Sequence, residues 1–511
     1  MQKFPKCDGF IHWDPQAEEQ WGLGVIEVMI CEKCTYRSNK YKLFMEIEDE
    51  KPGRKAACMN RSLQVGLTQT PIGPTSLRRL LMSVHVPPPS RSAMQESANQ
   101  VCDDIEASNV LDMHGRREQL KKVNRLRGDA ENVIDIECDG VYNNKLSSGV
   151  GRTPFQPGTQ CNYVVVENVT NKREIIAMEN VNKLCSKHGM HTASDPPCDI
   201  KSGECSSTDT METSIVHHIT TDADTKAFKA AQELYEKGVT ATKPEHQLDS
   251  RHLCDNHRKY IKSNTEFLTL MPGKTKAERE INLGTFALDL SKRCQSECEQ
   301  LNIKTKQCDG VSTLTQRDLS LLTETIIMYY YGDHSLCELH SLVCKGTETE
   351  NWVRKSPFLP SDFKIEACTK NYKLLEKCLA YRLSLPRFEK TKLNSNSQKV
   401  ESVNRTLRRS LPTNVTYPRN FAGRSHSAVH SRNYGPGESL TRLMETEGCS
   451  VPKSSRVASS LKKEQQCYDK GKLYSKSTVR KVKRLKTRTK LYDLHRKHRD
   501  EVHYRKSQLL Q

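Results

Sequence analysis

The sequence predicts an α+β protein, with an α/β-type core of short strands set between helical stretches. Three observations carry this reading. Helical patterning spans residues 61–128 and returns over 261–385. Three strand-like segments, VIDIEC, CNYVVVENV and REIIAM, follow the first helical stretch. A fourth, IVHHITT, ends in acids and runs into an amphipathic helix.

Residues 1–60 read as a small cysteine-bearing module around CEKC. Two thiolates separated by two residues let Cys31 and Cys34 face one zinc ion, with Cys7 and Cys58 as completing ligands. A redox pair is the competing reading of one such motif. Residues 61–128 give helix, turn, helix, turn, helix, with Ser76 and Ser90 as caps and a proline shortly before each. This stretch suits a helix-turn-helix DNA reader or a packing-only subdomain, and the sequence does not separate them.

Residues 129–260 hold the strands, the first three read as antiparallel. In VIDIECDG, alternation puts Asp135, Glu137 and Asp139 on one face, and the strand is expected to end at about Gly140. Asp139 would then stand at the sheet edge, with Asp135 and Glu137 solvated or hydrogen-bonded. Cys185, His188, His191, Cys198 and Cys205 follow at irregular spacing, a weak metal signal. Asp222 and Asp224 come after IVHHITT, and Asp249 and His252 stand three apart on an expected helix.

Residues 261–385 form a helical insertion in which His334, Cys337, His340 and Cys344 have zinc-like spacing, with Cys294, Cys298 and Cys308 nearby. Residues 386–440 carry Glu401 and Asn404 on one helical face, behind a cap at Ser395 or Ser397. Three carboxylates brought together from separate elements would hold two divalent cations. Such a pair activates a water or 3′-hydroxyl for phosphoryl transfer, and oxygen ligands suit Mg²⁺ or Mn²⁺.

Residues 441–511 are a basic tail. From Lys453 onward 19 Lys/Arg face 5 Asp/Glu, so most of the chain's formal charge of +18 lies there. Lys481, Lys483 and Arg484 sit within this charge run. The tail suits a polyanion, with nucleic acid the leading partner and nuclear import or a solvated helix as alternatives. No run of 18 apolar residues appears, and MQKFPKCDGFIHWDPQ has no apolar leader core. An intracellular location with no membrane partner is therefore expected, and 20 cysteines there read as metal ligands or core thiols.

CDGVYNN with GRTPFQPGTQ, TTDADTKAF, DSRHLCDNHRK and NSNSQKVESVNR…NFAGRSHSA occur in an order that resembles the Mutator-like transposases, most closely the animal members. The CEKC module, LQVGL…PPPSRSAMQ and YYYGDHSLCELHSLVC resemble the family as well. The resemblance implies an RNase H-like catalytic core, split by an all-helical insertion before the last acid. It also implies metal-dependent DNA cleavage and strand transfer in the nucleus by an oligomer. It maps the first acid to Asp139, the second to Asp222 with Asp224 as the alternative, the acid-x-x-His pair to Asp249 and His252, and the last acid to Glu401 with Asn404 beside it. Arg152, Arg251 and Asn404 become candidate DNA contacts, together with the tail cations. A transposase-derived DNA-binding protein without strand transfer is the alternative reading.

Overall fold

The computed structural model of the chain describes residues 7–48, 53–142, 160–182, 215–221, 226–238, 243–307, 316–346, 352, 358–359, 363–394, 397–413, 415–417 and 419–508. The chain divides into two units. One comprises Met1–Ile134, Asp139–Ile215 and Lys399–Lys472; the other comprises Asp135–Cys138, Val216–Gln398 and Leu473–Gln511. Among the described residues no helix is long and apolar enough to cross a membrane.

The first unit opens with strands too short to show alternation. β1 (Ile11–Trp13) pairs antiparallel with β4 (Met29–Cys31), while β2 (Glu19–Trp21), β3 (Gly24–Glu27) and β5 (Tyr41–Lys42) form an antiparallel sheet in the order β2-β3-β5. Between β2 and β3 the chain turns at Gly22 with φ +69°, where a Cβ would run into the Asn60 side chain. Asn60 itself clasps this hairpin: its Nδ2 donates to Trp21 O at 3.0 Å, and Leu23 N donates to its Oδ1 at 2.8 Å.

Three helices follow: α1 (Cys58–Thr68), α2 (Pro74–Ser83) and α3 (Arg91–Arg127). Ser90 caps α3 as expected, its Oγ accepting the Ala93 N–H at 3.2 Å, and Gly128 closes the helix in the left-handed region at φ 77°. Ser76 does not cap α2. That helix starts two residues earlier on Pro74, whose fixed φ suits a first helical position, with Gly73 at the cap.

The main sheet contains β6 (Val133–Tyr142), β7 (Gln160–Glu167), β8 (Ile175–Asn182), β9 (Ile215–Thr221) and β10 (Glu245–Leu248), in the order β10-β9-β6-β7-β8. It is a mixed sheet, antiparallel at β7–β8 and parallel at β9–β10. β6 does not stop near Gly140 but continues to Tyr142. The glycine admits a neighbour: the Tyr163 ring lies over it, and a Cβ there would come within 2.9 Å of the ring. Glu167 organises the β7–β8 turn by accepting the N–H groups of Val169, Thr170, Arg173 and Glu174.

The remaining helices are α4 (Lys226–Glu236), α5 (Ser250–Ser263), α6 (Lys276–Gln307), α7 (Gln316–Tyr331), α8 (Ser335–His340), α9 (Thr369–Leu383), α10 (Leu385–Glu389), α11 (Gln398–Ser410), α12 (Phe421–Tyr434), α13 (Pro436–Thr446), α14 (Arg456–Lys476) and α15 (Thr478–Gln508). In the first unit, α3, α11 and α12 cover one face of β7–β8 through Met113, Val164, Val166, Met178, Val400, Val403, Leu407 and Val429. The early helices are not a separate cluster, because Val65, Val101 and Ile105 share a core with Leu443 and Met444.

In the second unit, α5, α6, α7 and α9 bury Ile261, Phe286, Leu290, Ile326, Tyr330 and Leu379 together. Cys294 and Cys298 lie in this core, where burial pushes their thiols up, and among the described residues neither joins a metal-ligating group.

In the first unit, α3 and α12 cross closely at Gly423. A Cβ on Gly423 would stand 2.3 Å from Cys102 Cβ and 2.5 Å from its carbonyl oxygen. Gly423→Val should therefore cost about 1–3 kcal/mol or more by forcing the helices apart, as measured by urea unfolding. Wild-type stability would contradict this packing.

Candidate catalytic site and metal-binding groups

The strand face of Asp135, Glu137 and Asp139 is less wet than its composition implies. Glu137 is fully buried, and Asp135 Oδ1 lies 2.8 Å from His218 Nδ1. Asp139 is half-buried. Its Oδ1 accepts the Gly140 N–H at 2.8 Å, and its Oδ2 accepts Asn404 Nδ2 at 2.8 Å.

α11 presents Asn404 through its amphipathic pattern. Val400, Val403 and Leu407 are at most 1% exposed and seat the helix, while Glu401 and Asn404 lie one turn apart on the adjoining face. Asn404 is buried, and its Oδ1 has no hydrogen-bond partner among the described residues. A buried carbonyl oxygen beside a carboxylate suits a hard cation or a donor from substrate.

Asp249 is the N-cap of α5. Its Oδ1 accepts the backbone N–H groups of Arg251 (2.6 Å) and His252 (3.2 Å). Its Oδ2 accepts Ser397 N at 2.7 Å and Ser397 Oγ at 2.8 Å. The Asp249 carboxylate thus meets the backbone of His252, not its ring. Ser397 does precede α11, as the expected cap would, but its hydroxyl goes to Asp249. His252 is half-buried and Arg251 exposed. Lys481, Lys483 and Arg484 are exposed on α15. Asp222, Asp224, Arg152, Ser395, Cys308 and the cysteines and histidines of 185–205 lie outside the described residues.

One charged cluster was not legible in the sequence. His218 on β9 sits between Asp135 on β6 and Glu245 on β10, with Nε2 3.0 Å from Glu245 Oε2, and Lys392 pairs with Glu245 at 2.7 Å. The hydrogen bond to Asp135 and the two nearby carboxylates raise His218 above its ordinary 6.5 in spite of burial. Burial opposes the charge of Glu245, but Lys392 and His218 outweigh it and hold the carboxyl below 4.5. The histidine's contribution to stability is therefore complete below its unfolded value and is lost as pH rises through its raised folded value. The stability lost in His218→Asn should be largest near about pH 6 and shrink toward about pH 9 in denaturant titrations. A loss that grew with pH would reverse this sign.

Two groups of soft ligands are assembled. Cys7, Cys31 and Cys34 bring their sulfurs within 4.8 Å of one another. Each receives the backbone N–H of the residue two positions on, namely Gly9, Lys33 and Tyr36. The Lys33 amide draws the Cys31 thiol down to about 7. The Tyr36 amide acts the same way on Cys34, but burial and the neighbouring thiols push Cys34 up overall. Cys58 is not part of this group: its carbonyl accepts from Cys449 Sγ at 3.4 Å, against the core formed by α1 and α13.

In the second group His334, Cys337 and Cys344 also lie within 4.8 Å, and His340, at the far end of α8, stands outside it. The Cys337 thiol and the buried Arg293 guanidinium draw Cys344 down to about 4, while its bond to Cys344 and burial push Cys337 up. Trp352 N donates to Cys344 Sγ at 3.4 Å. Arg293 binds Glu297 and Ser341 Oγ, each at 3.0 Å, behind the cluster.

Thiolate and imidazole donors so placed fit zinc, each group supplying three of the usual four ligands. Metal analysis should find about two zinc ions per chain, falling to about one in Cys31→Ser or Cys344→Ser. Zinc-free protein with unchanged melting would contradict both sites.

A family model of Mutator-like transposases matches residues 1–344. The matched span contains Asp139, Asp222, Asp224, Asp249, His252 and both cysteine groups, and it ends before Glu401 and Asn404. No curated protein and no solved structure gave a match.

Proposed function

The chain belongs to the Mutator-like transposase family, whose members bind and cut DNA, and on that premise we propose that it is a DDE-type transposase. Its Asp139, Asp222 and Glu401 would form the metal-binding triad of an RNase H-like core in a nuclear, oligomeric enzyme. The observation that carries this reading is the Asn404–Asp139 hydrogen bond, which brings the helix that carries Glu401 against the strand acid.

Two further features support it. β6 is the central strand, with consecutive strands on one side and the returning β9 and β10 on the other. Asp135 also stands four residues before Asp139, and its partner His218 stands four residues before Asp222 in the sequence.

The donors suit Mg²⁺ or Mn²⁺: the carboxylate oxygens of Asp139, and the Oδ1 of Asn404, which has no hydrogen-bond partner among the described residues. Such ions activate a water or 3′-hydroxyl and stabilise the leaving oxygen of an in-line phosphoryl transfer. Asn404 Nδ2 fixes the Asp139 carboxylate. Packing of Val400 and Val403 seats the helix that carries Glu401. His252, at the start of α5, would contact DNA near the scissile phosphate or brace the strand before the second acid.

Asp139→Asn or Glu401→Gln should abolish cleavage of element-end DNA without weakening DNA binding. Asn404→Ala should cost about 10- to 100-fold in activity, as outer-shell changes do. A triad variant that still cuts would overturn the assignment. A wild-type protein that binds element ends but never cuts them would favour a transposase-derived binding protein.

The tail reads as a phosphate-binding arm. Gln465 on α14 holds Tyr434 O and Glu438 N, so truncation after Pro452 would disturb packing as well as charge. Neutralising Lys481, Lys483 and Arg484 is the cleaner test. It should weaken binding alike on unrelated duplexes and flatten the log Kd–log salt slope by about 2–3. A loss confined to element ends would instead mean that the tail reads sequence.

A further inference from the structure

We propose that Asp249 is a positioning residue that fixes the two stretches of chain leading into Asp222 and Glu401. This deepens the transposase reading and rests on it. The carboxylate is 1% exposed, and burying a charge so completely is costly unless donors surround it. Four do: two backbone N–H groups of its own helix, and the N–H and hydroxyl of Ser397, 148 residues away.

A plain N-cap needs only one acceptor oxygen. The second oxygen is committed to Ser397, itself 1% exposed and immediately followed by α11, which carries Glu401 in its first turn. The backbone of Asp249 meets the end of β9. Its N–H donates to Thr221 O at 3.0 Å, and Thr221 is the last residue of β9 before Asp222. Next to it, Leu248 N donates to Lys390 O at 2.7 Å, tying the same corner to the chain beyond α10. One residue therefore holds the exit of β9 and the entry of α11. With both oxygens occupied by fixed donors inside the protein, Asp249 acts through those segments and not on metal or DNA.

Asp249→Ser separates this role from simple capping, because serine is a good N-cap but has one short acceptor and cannot also serve Ser397. The expected result is a rise of about 10- to 100-fold in the Mn²⁺ concentration giving half-maximal cleavage. Affinity for element-end DNA in EDTA should stay the same. Two outcomes overturn the proposal: wild-type metal dependence in Asp249→Ser, or lost DNA affinity in EDTA with metal dependence intact.

Hydrogen exchange gives a readout independent of activity. Amides at 219–221 and 397–402 should exchange faster in Asp249→Ser, in addition to those at the start of α5. Faster exchange at the start of α5 alone would reduce Asp249 to a cap. Ser397→Ala, which leaves the α5 cap untouched, should show the 397–402 effect in smaller degree, and no change there would also count against the proposal. If the wild-type protein never cuts DNA, the transposase reading fails while the exchange measurement still decides the role of Asp249.

Discussion

The hydrogen bond from Asn404 Nδ2 to Asp139 Oδ2 joins two elements that are 265 residues apart, the strand β6 and the helix α11. Everything inserted between them must leave that pairing intact. The first unit resumes at Lys399 after a second unit has been built from the intervening chain, and α11 returns to the strands with Asn404 against Asp139.

Packing and polar contact divide the work of placing α11. Burying Val400, Val403 and Leu407 contributes about 1.5–3 kcal/mol each. A single hydrogen bond contributes about 0.5–1.5 kcal/mol, or up to about 3 when one partner is charged. Apolar burial therefore decides that the helix docks, and the Asn404–Asp139 bond decides how it is rotated. Asp249 fixes where the helix begins. The insertion is stabilised in the same manner, its apolar core backed by buried polar groups such as Arg293, Glu297 and Ser341 that stand behind the His334–Cys337–Cys344 cluster.

The elements legible in the sequence were those with strong local signals. Alternation marked β6, β-rich composition marked β7 to β9, Ser90 marked the start of α3, and CEKC marked two members of a ligand group that Cys7 joins. Elements without such signals were missed. β10 is only Glu245–Leu248, a four-residue parallel strand without alternation, and the strands of the first module are no longer than four residues.

Cys58 and His340 have plausible spacing, but spacing cannot say that one lies against Cys449 and the other at the wrong end of a short helix. Gly140 looked like the end of a strand because a glycine's need for a turn and its tolerance of a close neighbour read alike until Tyr163 is seen above it. The His218 cluster draws on three strands and Lys392, so only sheet order could have revealed it. Asp249 and His252 were recognisable as a pair, while the partner that matters for Asp249, Ser397, is remote in the chain.

The most direct test of the central claim is affinity cleavage with Fe²⁺ replacing Mg²⁺, followed by peroxide and ascorbate and mapping of the cut peptide bonds. The account predicts cuts clustered near Asp139, Asp222–Asp224 and Glu401, suppressed by excess Mg²⁺ and absent in Asp139→Asn. Cleavage confined to the cysteine clusters, or unchanged by Mg²⁺ and by that substitution, would contradict it.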